Sequence, residues 1–336
     1  MGLKDCEYFA PSTLTEALDL KARMGADAVW LAGGTDLMPR AKHKLVNPKA
    51  VISLKKLVPE LSGVEEDGAD VKIGALTSLA EAGAHPAVCN HLSGLSQALK
   101  SIGAPTLQQR VGTVGGNLCA DTRCLYYNQS AFWRSGVAPC FKLGGEICHP
   151  GGASADRCRS ICQSDGAVML AALEARVYLA GDNGERELGL DEFYTGRGEE
   201  PLAMGPAELL INVKVPAPKG QGSAYYKLAA RKAMDYPLIS AAAAVCLDPD
   251  GVVTKASLAL GGVYAAPLML KDASQLMVGQ KCGPTEVEAV AKRAGSHAQP
   301  FFIENQSAPA AWRLEMVPVV AKRALTQALA AAKGKI

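Results

Sequence analysis

Six of the ten cysteines of this 336-residue chain fall between Asn117 and Asp165: Cys119, Cys124, Cys140, Cys148, Cys158 and Cys162. The stretch also holds Tyr126, Tyr127, Trp133 and two Gly-Gly pairs, and its apolar residues follow neither the helical nor the strand period. A segment without a period cannot supply a layer of a core. The chain must therefore fold as regular units on either side of an irregular excursion. Excursions of this length inside a compact domain usually serve a function. Clustered cysteines narrow that function to a metal centre or a disulfide scaffold.

The rest of the composition helps choose between these. Net charge is +2, which gives no bulk electrostatic footprint for nucleic acid. The opening Met1-Gly2-Leu3-Lys4-Asp5-Cys6 has no apolar h-region, so no secretory signal is expected. No run of about 18 apolar residues is present, so no membrane span is expected. These readings place the chain in the cytoplasm, where disulfides are disfavoured and clustered cysteines more often bind metal.

The regular part reads as alternating helices and strands. Thr13-Leu14-Thr15-Glu16 forms a capping box and opens a helix that stops at Gly25. Ala28–Ala32 and Val51–Leu54 read as strands, as do Val71–Ala75, 175–179 and Leu209–Val215. Helices are expected from Thr77, over Pro86–Leu99 and over Ala167–Leu173. Pro216–Gly222 is the clearest linker candidate, followed by strands at Ala224–Ala230 and Val252–Leu260 and by helices at Pro284–Ala294 and Ala311–Ala332. The expected organisation is α+β in three parts: 1–55, 56–220 with the cysteine loop at 119–162, and a small α+β domain at 221–336.

Two glycine loops interrupt this pattern at strand or helix junctions. Gly33-Gly34-Thr35-Asp36 follows the first strand, and Thr113-Val114-Gly115-Gly116-Asn117 precedes the cysteines. Paired glycines let backbone amides approach a phosphate, and each loop adds a hydroxyl. Either could be a plain turn, but two in one domain favour a diphosphate cofactor. Neither is G-x-G-x-x-G, so the Rossmann fingerprint is absent.

Ala32-Gly33-Gly34-Thr35-Asp36-Leu37 and Thr113-Val114-Gly115-Gly116-Asn117-Leu118 resemble the two FAD-binding loops of the medium, flavoprotein subunits of molybdenum hydroxylases, the xanthine dehydrogenase and carbon monoxide dehydrogenase group. Ser164-Asp165, Glu208-Leu209-Leu210, Tyr226-Lys227-Leu228, Arg231 and Asp235-Tyr236-Pro237 continue the resemblance in order. It implies a two-subdomain FAD-binding domain of the PCMH and CO dehydrogenase flavoprotein type, plus a small C-terminal α+β domain. It implies that Ala32, Gly33, Gly34, Thr35, Asp36 and Leu37 hold the pyrophosphate and its neighbours, faced by Thr113, Gly115, Gly116 and Asn117. It further places Asp165 on the polar tail of the flavin, Leu210 near its rings and Lys227 by the isoalloxazine. By its residues alone Asp165 is a helix N-cap and Lys227 a solvated strand residue.

Most subunits of that family lack the cysteine-rich insertion. Here the chain resembles one subtype, the FAD subunit of 4-hydroxybenzoyl-CoA reductases, through Asn117–Cys124, Tyr127–Ser130, Trp133-Arg134, Cys140, Gly145–His149 and Arg157-Cys158. That likeness implies a 4Fe–4S cluster on Cys124, Cys140, Cys148 and Cys158. Four thiolates suit such a cluster, but the spacing alone does not separate iron–sulfur from zinc. A zinc site on the pairs Cys119/Cys124 and Cys158/Cys162 is the alternative, and Cys162 could replace Cys158 as fourth ligand. His149 is read as a hydrogen-bonding loop residue, and Cys6, Cys89, Cys246 and Cys282 as small buried hydrophobes.

No other catalytic constellation is present: no H-E-x-x-H, G-x-S-x-G or P-loop. The resemblance implies an electron-transfer subunit whose substrate chemistry lies on its partners. These would be a large molybdopterin subunit and a small 2Fe–2S subunit, as a dimer of heterotrimers, with ferredoxin as electron donor. The reaction implied is reductive removal of a phenolic hydroxyl from 4-hydroxybenzoyl-CoA. An oxidising hydroxylase for another substrate would share the same residues. A zinc-stabilised scaffold binding a phosphorylated ligand would share the glycine loops but carry no flavin.

Overall fold

A computed structural model describes residues 6–232 and 234–335. The reading of Met1–Asp5 as free of an export signal lies outside them. The chain folds around three sheets, in sequence order. In the first, the parallel strands β1 (Glu7–Phe9) and β2 (Ala28–Leu31) flank β3 (Ala50–Ser53), which is buried along its whole length. The helix Leu14–Met24 connects β1 to β2. Thr13 caps it, Glu16 reaches back to the Ser12 amide, and Gly25 ends it at φ +54°. Trp30 on β2 donates its indole N–H to the Glu208 carbonyl, 2.9 Å away, and so ties this sheet to the next.

The second sheet is antiparallel, in the order β4 (Val64–Asp67), β5 (Asp70–Gly74), β8 (Leu209–Pro216), β6 (Arg176–Gly181) and β7 (Gly184–Gly189). Alternation along β5 points Val71 and Ile73 inward and Lys72 outward. The helices Ser93–Lys100 and Asp165–Ala172 cover it. The second of these is buried on every side, as its uniformly apolar sequence requires.

The third sheet runs β12 (Leu268–Met269), β11 (Val253–Gly261), β10 (Ile239–Leu247) and β9 (Gln221–Leu228), all antiparallel. The helices Pro284–Ala298 and Val317–Lys333 form its outer layer. On the inner side Ala242, Ala244 and Ala259 join Val168 and Met169 in one core, so this sheet shares its interior with the second.

Several boundaries differ from the expectations. Ser78, not Thr77, caps the helix Leu79–Ala84; Thr77 instead bonds both backbone groups of Gly63. The expected helix Pro86–Leu99 breaks at Leu92 into Pro86–His91 and Ser93–Lys100. The last helix breaks at Met316, where Pro318 opens its second part. The linker candidate is shorter than expected: β8 runs through Pro216 and β9 starts at Gln221, so only residues 217–220 lie outside strands. Gly222 lies under the final helix, where a Cβ would come within 2.2 Å of the Ala328 carbonyl. Of the four outlying cysteines only Cys282 is buried; Cys6, Cys89 and Cys246 are half-exposed. No helix among the described residues is long and apolar enough to cross a membrane.

Candidate functional site: a glycine-lined cleft beside a cysteine cavity

A cleft of about 560 Å³ lies between the first two sheets and the loop that joins β9 to β10. The segment after β2 supplies Ala32, Gly33, Gly34, Thr35, Asp36 and Leu37; the facing loop supplies Thr113, Gly115, Gly116 and Asn117; Asp165, Leu210 and Tyr236 complete the wall. Close backbone approach explains the glycines. A Cβ on Gly33 would lie 1.8 Å from the Val111 carbonyl oxygen, and Gly34 holds φ +72°. Gly115 presses on Ala75, where a Cβ would come within 2.8 Å of the alanine methyl. Thr113 caps the short helix Val114–Leu118 by accepting from the Gly116 amide, so this loop is a helix start rather than an open turn.

Twelve of the thirteen expected cofactor residues line this cleft; Lys227 does not. Lys227 stands behind the wall, with its ammonium 2.8 Å from Asp165 Oδ2 and 2.9 Å from the Ser101 carbonyl. It is therefore the counter-ion of Asp165 and not the solvated strand residue its neighbourhood suggested. Asp165 itself does not cap its helix. Ser164 does, accepting from the Ala167 amide and donating to Asn117 Oδ1 at 2.7 Å, which links the second glycine loop to the helix start. Asp165 accepts from Lys227, from the Tyr225 hydroxyl and from Ser101. Burial pushes its carboxyl up, and those bonds act against the shift.

Charged residues from the insertion reach into the same cleft. Arg123 pairs with Asp36, which also accepts from the Asp121 amide at 3.4 Å. Arg40 bridges Asp36 and Asp121, at 3.5 and 3.0 Å, and Lys142 approaches Asp121 to 2.6 Å from the far side. The Arg123 guanidinium lies 5.4 Å over the Tyr236 ring. Arg40 Nε and Gln163 Oε1, both on lining residues, are buried without a partner. The sequence reading assigned no role to Arg40, Arg123 or Gln163. Nothing near Arg123 in sequence points to Asp36, 87 residues earlier.

The insertion is closed at its base, where Arg123 and Ile161 exchange backbone hydrogen bonds of 2.8 and 2.9 Å. Inside it, Cys124, Cys140, Cys148 and Cys158 line one small cavity of about 10 Å³, with Tyr126, Tyr127, His149 and Ser160. Cys119 and Cys162 do not line it. Cys119 lines the large cleft with its sulfur 3.8 Å from Met204, and Cys162 belongs to the core of the second sheet. The pairs expected for a zinc site are thus not brought together. His149 stacks on Tyr126 and bonds the Ala138 carbonyl at 2.9 Å.

The donor set at this cavity suits a thiolate-bound metal. Glycines clear space beside the sulfurs: a Cβ on Gly151 would lie 3.1 Å from Cys148 Sγ, and one on Gly198 would lie 2.8 Å from Cys158 Sγ. The Ser160 amide donates to Cys158 Sγ at 3.4 Å. Burial raises the Cys124 thiol to about 11, and the neighbouring Cys158 and Cys148 add to the shift. No three His, Cys, Asp or Glu side chains among the described residues stand at the spacing of a preformed metal site.

Residues 4–218 match the family model described as the FAD binding domain in molybdopterin dehydrogenase. The chain belongs to that family. It is an FAD-binding medium subunit of the molybdenum hydroxylase type, and residues 224–328 match the CO dehydrogenase flavoprotein C-terminal domain. The FAD subunit of nicotinate dehydrogenase from Eubacterium barkeri is 30% identical, over 85% of this chain and 84% of the relative. The carbon monoxide dehydrogenase medium chain of Hydrogenophaga pseudoflava is 29% identical over 96% and 97%. A solved structure of that enzyme superposes with a TM-score of 0.77 at 27% identity, covering 98% of this chain and 99% of the other. The α+β expectation holds, and the large cleft is where this family's cofactor fits: glycine backbones on two sides, and an unpartnered donor and acceptor in Arg40 and Gln163. The relatives' names, an FAD-subunit and a medium chain, are those of components of multi-subunit oxidoreductases.

Proposed function

We propose that this subunit carries a 4Fe–4S cluster beside its FAD and serves a molybdenum enzyme of the 4-hydroxybenzoyl-CoA reductase type. The observation that carries the reading is the convergence of Cys124, Cys140, Cys148 and Cys158 on one cavity of the insertion, with Cys119 and Cys162 held elsewhere. In this reading those four cysteines hold the cluster. Ala32–Leu37, Thr113, Gly115, Gly116, Asn117, Asp165 and Leu210 hold FAD, and Lys227 acts on it through Asp165. The parts 1–55, 56–220 and 221–336 act as two FAD-binding subdomains and a C-terminal domain.

When bound, FAD links two-electron to one-electron chemistry and an iron–sulfur cluster carries electrons singly. The chain supplies the surroundings. The Ser160 amide stabilises negative charge on the Cys158 sulfur, and burial keeps water from Cys124, Cys148 and Cys158, while Cys140 is partly exposed. Lys227 holds Asp165 in place at the cleft. Electrons would come from reduced ferredoxin. The aromatic CoA thioester would react on a molybdopterin subunit, joined to this chain in a heterotrimer with a 2Fe–2S subunit. A second reading, an oxidising hydroxylase, draws support from the relatives, which are named as dehydrogenases.

Anaerobic purification followed by iron, sulfide, zinc and flavin analysis tests the proposal. About four irons and four sulfides with one FAD per chain are expected. Cys140→Ser should lose the iron and keep the flavin; full iron retention in that variant would sink the ligand assignment. Zinc in place of iron would make the insertion structural. Assays of the complex then separate the two readings, with 4-hydroxybenzoyl-CoA and a low-potential donor in one arm and an oxidative substrate with an acceptor dye in the other.

A further inference from the structure

Asp36 poses an electrostatic problem for a cleft that accepts a diphosphate. It is a carboxylate on the glycine loop that faces the cofactor, and its side chain is only 22% exposed, so water screens it poorly. The other carboxylates on the cleft wall are matched locally: Asp165 by Lys227, Asp235 by Arg231, and Asp121 by Lys142 and Arg40. Arg40 lies nearer Asp121, at 3.0 Å, than Asp36, at 3.5 Å. The cation committed to Asp36 is Arg123, which comes from the insertion and not from the FAD-binding frame.

We propose that Arg123 is a positioning residue for FAD: its charge offsets Asp36, so that the Gly33–Gly34 loop can face the cofactor's diphosphate. The cluster of Arg40, Arg123 and Lys142 against Asp36 and Asp121 then carries one net positive charge on this wall. Without Arg123 the wall is neutral and Asp36 faces the phosphates with only a shared partner. Geometry favours a fixed guanidinium. Arg123 is held by the reciprocal backbone bonds with Ile161 at the base of the insertion and by the Tyr236 ring beneath it. The insertion thus serves the flavin site as well as the cysteine cavity. This inference rests on FAD occupying the cleft.

The test is a titration of the flavin-stripped full chain with FAD and, separately, with riboflavin, which has no phosphate. Arg123→Met should weaken FAD on the order of ten-fold, the scale of one lost charge pair, and leave riboflavin within error. Arg123→Lys, which keeps the charge, should stay near wild type. Arg123→Met combined with Asp36→Asn should bind FAD more tightly than Arg123→Met alone. Equal losses for FAD and riboflavin, a Lys variant as weak as the Met variant, or no recovery in the double variant would each overturn the proposal. Should Arg123→Met fail to fold, the double variant carries the test, because it removes both members of the pair and keeps the wall's net charge. It must then bind FAD within a few-fold of wild type. A wild-type chain that binds no FAD would instead defeat the cofactor reading beneath it.

Discussion

Asp165 and Lys227 show how one residue's role depends on a partner far away in sequence. The carboxylate is 3% exposed and the ammonium 12%, and each is anchored by further hydrogen bonds. Breaking such a pair from one side leaves a buried charge without a partner. Lys227→Met should therefore destabilise the chain by about 3–5 kcal/mol, read by urea denaturation. Adding Asp165→Asn to Lys227→Met should recover a large part of that loss. An unchanged midpoint in the single variant would show that Asp165 is protonated in the folded chain. Lys227 also marks where reading by residue type stopped. A lysine on a strand is usually solvated, and only the helix start 62 residues earlier explains why this one is not.

At the level of elements, the glycine loops were readable because Gly-Gly pairs at a strand end have few other uses. What the sequence did not convey is that the loops touch each other. Gly33 abuts Val111 directly, so Gly33→Ala must push the Val111 carbonyl away and reshape the cleft. The expected outcome is a chain purified without flavin but with its far-ultraviolet circular dichroism intact; normal flavin content would show that the loops can part without loss. Strand β10 escaped the sequence reading altogether. Its centre, Ala241-Ala242-Ala243-Ala244, has helix-forming composition. It is extended because helices press on both faces of the sheet, Asp165–Ala172 on one and Val317–Lys333 on the other, and only small side chains leave room. The two helix breaks, at Leu92 and Met316, were equally hidden, since apolar periodicity continues across a bend.

For the molecule as a whole, the cleft is a joint between three units: residues 32–37 follow β2 of the first, Gly115 and Leu210 come from the helix Val114–Leu118 and β8 of the second, and Met234–Tyr236 from the β9–β10 loop of the third. A ligand there adds a contact common to all three units, of which the second and third already share a core and the first is tied to the second by a smaller apolar cluster and the Trp30 indole bond. FAD should therefore stabilise the entire chain and not one part of it. At a hundred-fold excess over its dissociation constant the gain is about 2.7 kcal/mol, visible in calorimetry as an upward shift of every transition. A shift confined to one of several transitions would mean that the cleft is built by fewer units than its lining suggests. The family and the two glycine loops that line the cleft were legible because they depend on local patterns. The charges that connect the insertion to the cleft were not, because they depend on which loops the fold brings together.

The short bridge between Arg123 and Ile161 has a historical consequence. It joins the two feet of the insertion, so the segment from Cys124 to Ser160 leaves and re-enters the flavin-binding frame at one doorway, with further ties from Arg134 to the His43 and Lys44 carbonyls and from Asn305 to the Arg159 carbonyl. A lineage could lengthen or shorten the exposed part of such an appendix without redesigning the body that bears it, provided Lys142 keeps its place beside Asp121. The appendix would be inherited or lost as a unit, while the residues at the doorway stay bound to the older site.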